Sequence, residues 1–408
     1  MPAAPPAPPS TAWLATETDR LLDDAATTLV PDGFGWLRDD GHLDPAQGTQ
    51  LWVTARMTHL FSLGALLGRP GDAALADHGL AAIAGPFRDD VHAGWYARLP
   101  AAPDASKTAY EHVFVLLAAA SATTAGRPGA PALLGDAAAV IDAHFWDETA
   151  GACVEEWNRD FTVCDPYRGA NANMHAVEAF LATADATGDV RWRDRALRIA
   201  TLLIHGAARE QRGGRLPEHY DATWTPDPAY HADRLDDPFR PFGVTPGHGL
   251  EWSRLLLGLA GAFEGSGEEV PGWLRPAAAA LFRTAVDDGW DGDAGLCYTT
   301  DWEGTPVVRE QFFWVLAEAI AAADALYQAT GDERYAAWYA RWWAHARATF
   351  IDDGPGWVHE VAPGGGRSHR TWHGRPDFYH PVQATLLPRL PTAPTLAAAL
   401  RGGLLDAR

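Results

Sequence analysis

The sequence predicts an all-α protein, an (α/α)6 barrel of six helical hairpins with short β-hairpins in the loops. Three observations predict it. Twelve segments carry apolar residues at a period near 3.6 together with good helix formers, Ala, Leu, Arg and Glu. A glycine-centred turn with nearby Asp and aromatic residues recurs between helix pairs, at Gly35, Gly94, Gly151, Gly213, Gly295 and Gly356. These turns are about 60 residues apart, with one longer step of about 80 before Gly295, as in repeats whose units cannot bury their apolar faces alone. Such hairpins stack either as an open solenoid or as a ring of inner helices wrapped by outer ones. The absence of polar capping repeats favours the ring.

In chain order, helices are expected at 11–29, 47–67, 72–85, 108–124, 132–145 and 169–187, then at 190–207, 249–261, 272–287, 308–330, 333–350 and 377–401. The start, 1–10, is rich in Pro and Ala and has no basic or apolar region of the kind a signal peptide needs. It reads as a disordered tail, and 11–408 as a single domain. Strand-like pieces after some turns, such as 153–157 and 357–361, suggest small hairpins. The segment 220–246, rich in Pro, Asp and Arg, interrupts the repeat. A loop of that size in a compact domain is functional or mobile, and its expected place is over the cavity mouth.

Composition narrows the function. The chain has 408 residues, 47% of them apolar, and a formal net charge of −21. An acidic surface argues against nucleic acid or anionic membrane as a partner and suits a small neutral ligand. Cys153, Cys164 and Cys297 form no CxxC pair, so neither a disulfide framework nor a zinc site is expected, and a reducing cytoplasm is the default. No apolar run approaches the roughly 20 residues of a membrane helix. The 18 Trp fill cores and can also stack on sugar faces.

The inner helices should be those with polar residues in apolar surroundings: Arg56, Tyr110 with His112, Asn171 with His175 and Glu178, His248 with Glu251, Trp314 with Glu318, and His380. That is one set per repeat, all directed at one central cavity. In Pro246-Gly247-His248-Gly249-Leu250-Glu251-Trp252, a helix is expected to start near His248. His248 and Glu251 share a helix face, so a carboxylate can fix the imidazole's tautomer; a capping His and a solvated Glu are the alternative. Asn171, His175 and Glu178 form one stripe, and a buried polar stripe needs partners. Arg56 needs several acceptors, which either sugar hydroxyls or a buried carboxylate can supply. His380, after Asp377, is either a cap or a catalytic group. HExxH, EF-hand, Walker and G-x-G-x-x-G patterns are absent, so no metal and no nucleotide cofactor is expected.

Several stretches together resemble the N-acylglucosamine 2-epimerase superfamily, which includes cellobiose 2-epimerases and aldose–ketose isomerases for mannose and sulfoquinovose. They are T-A-R-M-T-H around Arg56, K-T-A-Y-E-H-V-F around Tyr110, N-A-N-M-H from Asn171 to His175, F-R-P-F around Arg240, P-G-H-G-L-E-W around His248, and G-R-P-D-F-Y-H ending at His380. The compact length and the R-M-T-H and W-L-R-D-D stretches are most similar to the bacterial mannose-isomerising members. The resemblance implies an (α/α)6 barrel that needs no metal, with His248 and His380 as the acid/base pair. It also implies that Arg56, Tyr110, Asn171, His175, Arg240 and Glu251 surround the sugar. The run 368–373 matches no family role.

The expected reaction is interconversion of D-mannose and D-fructose, in the cytoplasm, by a monomer or homodimer. His175 or His248 would pass a proton between O5 and O1 as the ring opens. His380 would move the C2 proton to C1 through a cis-enediol, Arg56 would stabilise the developing oxyanion, and Glu251 would orient His248. A sugar 2-epimerase would use the same histidines on opposite faces. An inverting glycoside hydrolase would need two carboxylates from among Glu178, Glu251, Glu318 and Asp377. A non-catalytic scaffold would use the outer surface, to which no sequence feature points.

Overall fold

The computed structural model describes residues 6–102, 105–208 and 212–407. Of the expected tail, residues 1–5 lie outside the described residues; Ser10 then caps α1 (Thr11–Ala26) through its side chain. The helices that follow are α2 (Leu51–Leu66), α3 (Asp72–Ala84), α4 (Ala109–Thr124), α5 (Ala130–Val140), α6 (Ala170–Thr187) and α7 (Val190–Ala200). Then come α8 (Pro246–Gly265), α9 (Leu274–Gly289), α10 (Phe313–Thr330), α11 (Glu333–Thr349), α12 (Tyr379–Leu386) and α13 (Leu396–Arg401).

Helices α2, α4, α6, α8, α10 and α12 pack each on the next, and α12 returns to α2. Around this ring, α3, α5, α7, α9 and α11 each cover the inner helix before them, while α1 covers α12. The ring therefore closes by pairing the first helix with the last repeat, so neither end exposes an apolar face. Sequence explains the division. In α2 every residue from Leu51 to Gly64 is buried, as expected of a helix apolar on all sides, whereas α11 buries only Ala340, Trp342, Trp343 and Ala346.

Short strands fix the start of the inner helices. Thr49–Gln50 pairs with Arg98–Leu99, Lys107–Thr108 with Glu156–Trp157, Arg168–Gly169 with His219–Tyr220, and Gln311–Phe312 with Glu360–Val361, all antiparallel. Each clip joins the residues just before an inner helix to a neighbouring repeat. The expected local hairpin over 153–157 is thus divided: Cys153 pairs locally with Trp146, but Glu156–Trp157 reaches back to Lys107–Thr108. Glu360–Val361 likewise reaches Gln311–Phe312, while Val361 also bridges Arg367 in a small local hairpin. Five of the six turn glycines adopt positive φ; Gly35 does not, and Gly33 takes that conformation in the first repeat.

Several helix boundaries differ from expectation. The segment 377–401 is broken: α12 gives way to a 3-10 turn at Leu387–Arg389, and Pro388, Pro391 and Pro394 prevent a continuous helix. The remainder, α13, crosses the far end of the ring against α2, α4 and α6. The segment 308–330 starts late, at Phe313, because Pro306–Val308 and Gln311–Phe312 are strands. Helix α8 starts early, with Pro246 in its first turn, where the missing N–H costs no hydrogen bond.

One clip carries a buried ion pair. Lys107 Nζ donates to Asp89 Oδ2 at 3.0 Å, and both side chains are buried. Lys107→Met leaves Asp89 with Arg159 as its remaining cationic partner. The expected loss is about 3 kcal/mol of stability by denaturant titration; an unchanged midpoint contradicts this.

Candidate active site

The first turns of the inner helices meet at one end of the ring and wall a cavity. Trp52 and Arg56 enter it from α2, Tyr110 from α4, Asn171 and His175 from α6, His248 and Glu251 from α8, Trp314 from α10, and Asp377 and His380 from the start of α12. Loops add Pro238, Phe239, Pro241, Tyr298, His359 and Trp372. Inner-helix N-termini therefore surround the cavity, and their partial positive ends favour negative charge there.

Two histidines each stand on a carboxylate. His248 Nδ1 lies 2.9 Å from Glu218 Oε2, and His380 Nδ1 lies 2.7 Å from Asp377 Oδ2. Each bond leaves Nε2 as the other ring nitrogen for chemistry. The Trp314 ring sits beside both, 5.3 Å from the His248 ring and 5.8 Å from the His380 ring. Gly247 makes room for it: a Cβ there would stand 2.6 Å from the Trp314 ring. The same Asp377 Oδ2 accepts Arg56 Nη1 at 3.0 Å, while Arg56 Nη2 donates to the Tyr110 hydroxyl at 2.9 Å. Burial alone would push the Asp377 carboxyl up, but His380 and Arg56 hold it well below the usual range. It is an anion at any working pH.

The floor is drier. Burial pushes the His175 imidazole down to about 3, so it is neutral, and pushes Glu251 well above the usual carboxylate range, with Glu318 adding to the rise. His175 Nδ1 is 3.6 Å from Glu251 Oε1. Burial also drives the Tyr110 hydroxyl up to about 12 and the His359 imidazole down to about 4.

All four residues expected to be catalytic, His175, His248, Glu251 and His380, thus come together, with Arg56, Tyr110, Asn171 and Trp314. Three expected sugar contacts do not line this cavity. Glu178 lies beneath it, accepting Gln383 Nε2 at 3.0 Å and the Tyr379 hydroxyl. Glu318 accepts Arg254 Nε at 3.0 Å. Arg240 turns to Glu156 at 3.0 Å and stacks on Tyr167, in a neighbouring pocket. A fourth correction concerns His248: its carboxylate partner is Glu218, while Glu251 faces His175 and Arg254.

Glu218 precedes His248 by 30 residues in a different element, so no helical spacing announces it. Asp377 is three residues before His380 and was legible as a pair. The unmatched run 368–373 has a structural explanation: the buried Glu360 carboxylate accepts the backbone N–H of Arg370, Thr371 and Trp372, which fixes Trp372 in the wall. Arg370 then bridges Asp236 at 2.8 Å and Glu310 at 2.9 Å, tying down the segment that carries Phe239 in the cavity wall.

Two groups bring possible ligand atoms within 4.8 Å of one another: His175, Glu178 and Glu251, and Glu251, Glu318 and His380. Arg254 already stands among their carboxylates as the counter-cation, and we assign no metal to either group.

Residues 33–384 match the family model described as N-acylglucosamine 2-epimerase (GlcNAc 2-epimerase). The chain belongs to the N-acylglucosamine 2-epimerase family. Every cavity residue, from Trp52 to His380, falls inside the matched stretch. A D-mannose isomerase of Thermobifida fusca is 51% identical over 402 residues, covering 95% of this chain and 96% of that one. A D-mannose isomerase of Pseudomonas cannabina pv. alisalensis is 47% identical over 394 residues, covering 96% and 95%. A crystal structure of D-mannose isomerase aligns with a TM-score of 0.86 at 28% identity, over 92% of this chain and 97% of that chain.

Proposed function

We propose that this chain is an aldose–ketose isomerase that interconverts free D-mannose and D-fructose through a cis-enediol. One observation carries the reading: two histidines, each backed by its own carboxylate, stand beside Trp314 in a cavity that also holds Arg56. The D-mannose isomerase relatives support the choice of sugar.

The sugar ring opens first, with O5 gaining a proton and O1 losing one; of His175 and His248, His248, backed by Glu218, serves this exchange. His380, its Nδ1 bound to Asp377, takes the C2 proton on Nε2 and returns it to C1, while the O2 hydroxyl proton passes to O1 with His248 as the relay. Asp377 keeps the imidazole in the right tautomer and stabilises the imidazolium. Charge developing on the enediolate oxygen is met by the Arg56 guanidinium and by the inner-helix N-termini, fixed before the reaction begins. Trp314 offers the apolar face against which a sugar packs.

A 2-epimerase is the second reading, favoured by the presence of two carboxylate-backed histidines, since one could deprotonate and the other reprotonate C2. Hydrolysis fits less well. Glu251 and Asp377 are the carboxylates lining the cavity, and Asp377 is committed to Arg56 and His380. The reading takes the reaction as metal-independent, in a reducing cytoplasm suited to the free Cys153, Cys164 and Cys297, by a monomer or homodimer. No helix among the described residues is long and apolar enough to cross a membrane. Nucleic acid and membrane are not expected partners.

Chelator-treated protein given D-mannose should form D-fructose, followed by NMR. Glucose as the product would replace this reading with the epimerase; release of a monosaccharide from a disaccharide would replace it with the hydrolase.

A further inference from the structure

Beneath the sugar cavity, three carboxylates converge on one guanidinium. Arg254, one turn after Glu251 on α8, donates Nε to Glu318 Oε2 at 3.0 Å. Its Nη2 lies 3.7 Å from Glu251 Oε1, and neither of these buried atoms has a hydrogen-bond partner. Glu178 shares with Arg254 the lining of a second cavity, which opens on the other side of this layer and also contains Asp324 and Gln328. Arg254 and Glu178 therefore form a single side-chain layer between the reacting groups and the far end of the ring.

Burial makes charge balance in that layer decisive, because charges in a desolvated site interact far more strongly than in water. Facing Arg254 are Glu178 from α6, Glu251 from its own helix and Glu318 from α10; His175 stands against Glu178 and Glu251, and Asp324 lines the second cavity with Arg254. Tyr379 and His380 approach from α12, and Arg56 and His59 from α2. Arg56 is committed to Asp377 and Tyr110. Among the described residues, Arg254 is the cation that hydrogen-bonds a floor carboxylate.

We propose that Arg254 is a positioning residue for the reaction: clamped to Glu318, it holds Glu251 against His175 and sets the electrostatic field under the histidines that move protons. It does not touch the sugar; it acts through Glu251 and through the protonation of His175 and His380. Burial and the neighbouring Glu318 push the Glu251 carboxyl up, and Arg254 opposes that rise, in keeping with this arrangement. The proposal rests on the site described above but not on the identity of the sugar.

The sign follows from charge. Removing the cation leaves Glu178 and Glu318 unopposed, so His380 holds a proton to higher pH. Removing the Glu318 carboxylate does the reverse. The test is the histidine Cε1–H NMR titration of His380 in sugar-free protein, assigned by its loss in His380→Ala, for Arg254→Met, Arg254→Lys, Glu318→Gln and the double variant Arg254→Met/Glu318→Gln. The His380 midpoint should rise by about one pH unit in Arg254→Met, stay in place in Arg254→Lys, fall in Glu318→Gln, and return towards wild type in the double variant. The acid limb of kcat/KM, on whichever free sugar is turned over, should follow. An unmoved midpoint in Arg254→Met and Glu318→Gln, whatever their stability, overturns the proposal. If Arg254→Met does not fold, Glu318→Gln and the double variant decide it by the same shifts. Because the titration needs no substrate, its result is independent of whether mannose is the sugar.

Discussion

Replacement of His380 by alanine is expected to lower kcat by about 10³–10⁴-fold, with the fold unchanged by circular dichroism. The imidazole has one nitrogen engaged by Asp377 at 2.7 Å and the other left for the sugar, beside the Trp314 ring. His359 also lines the cavity but cannot take over. Its Nδ1 has no partner, and burial leaves its imidazole at about 4, too weak a base for a carbon acid. His175 is neutral for the same reason, and its ring is wedged between Phe114 and Tyr110. His248→Ala should cost a similar factor, since ring opening and proton handling at oxygen would lose their carboxylate-backed imidazole. Steady-state kinetics check both; either variant retaining more than about a tenth of wild-type turnover contradicts the assignment.

The second large effect lies behind the histidines. Asp377→Asn is expected to lower kcat by about 10²-fold or more, because an amide can present an N–H to His380 Nδ1 and favour the wrong tautomer. It also removes the anion opposite Arg56, leaving a buried guanidinium with the Tyr110 hydroxyl as its remaining partner. Glu218→Gln should lower kcat by about 10–100-fold through His248 alone. The comparison with Glu251→Gln is informative. If Glu251 were the group that orients His248, its substitution would reproduce the Glu218→Gln defect. In this structure Glu251 faces His175 and Arg254, so the two variants should differ in pH dependence as well as rate. Identical pH profiles would contradict the separation of roles.

Much of the fold was legible because the inner helices leave little freedom. A helix that is apolar on every side has to be buried, and a polar side chain inside it has to find a partner. That reasoning picks out Arg56, His175, His248 and His380 from sequence. Depth along a helix was not legible. Glu178 shares a face with His175, and Glu318 follows Trp314, but each lies about one turn, roughly 5 Å, further from the helix start and so beneath the cavity. Arg240 belongs to an irregular segment, where no periodicity tells which way a side chain points. Glu218 was invisible for a related reason: it approaches His248 through the tertiary fold. The break after α12 could be read from Pro388, Pro391 and Pro394, whereas the pairing of strands between repeats depends on ring closure and has no local signal.

The central claim is that a carboxylate-backed histidine carries a proton between C2 and C1 of an enediol. The most direct measurement is proton NMR of the chelator-treated protein turning over D-mannose in D2O. The account predicts D-fructose, with deuterium at C1 wherever the proton held on His380 exchanges with solvent before its return, and loss of turnover in His380→Ala. Deuterium at C2 of newly formed glucose, with no fructose, would contradict it.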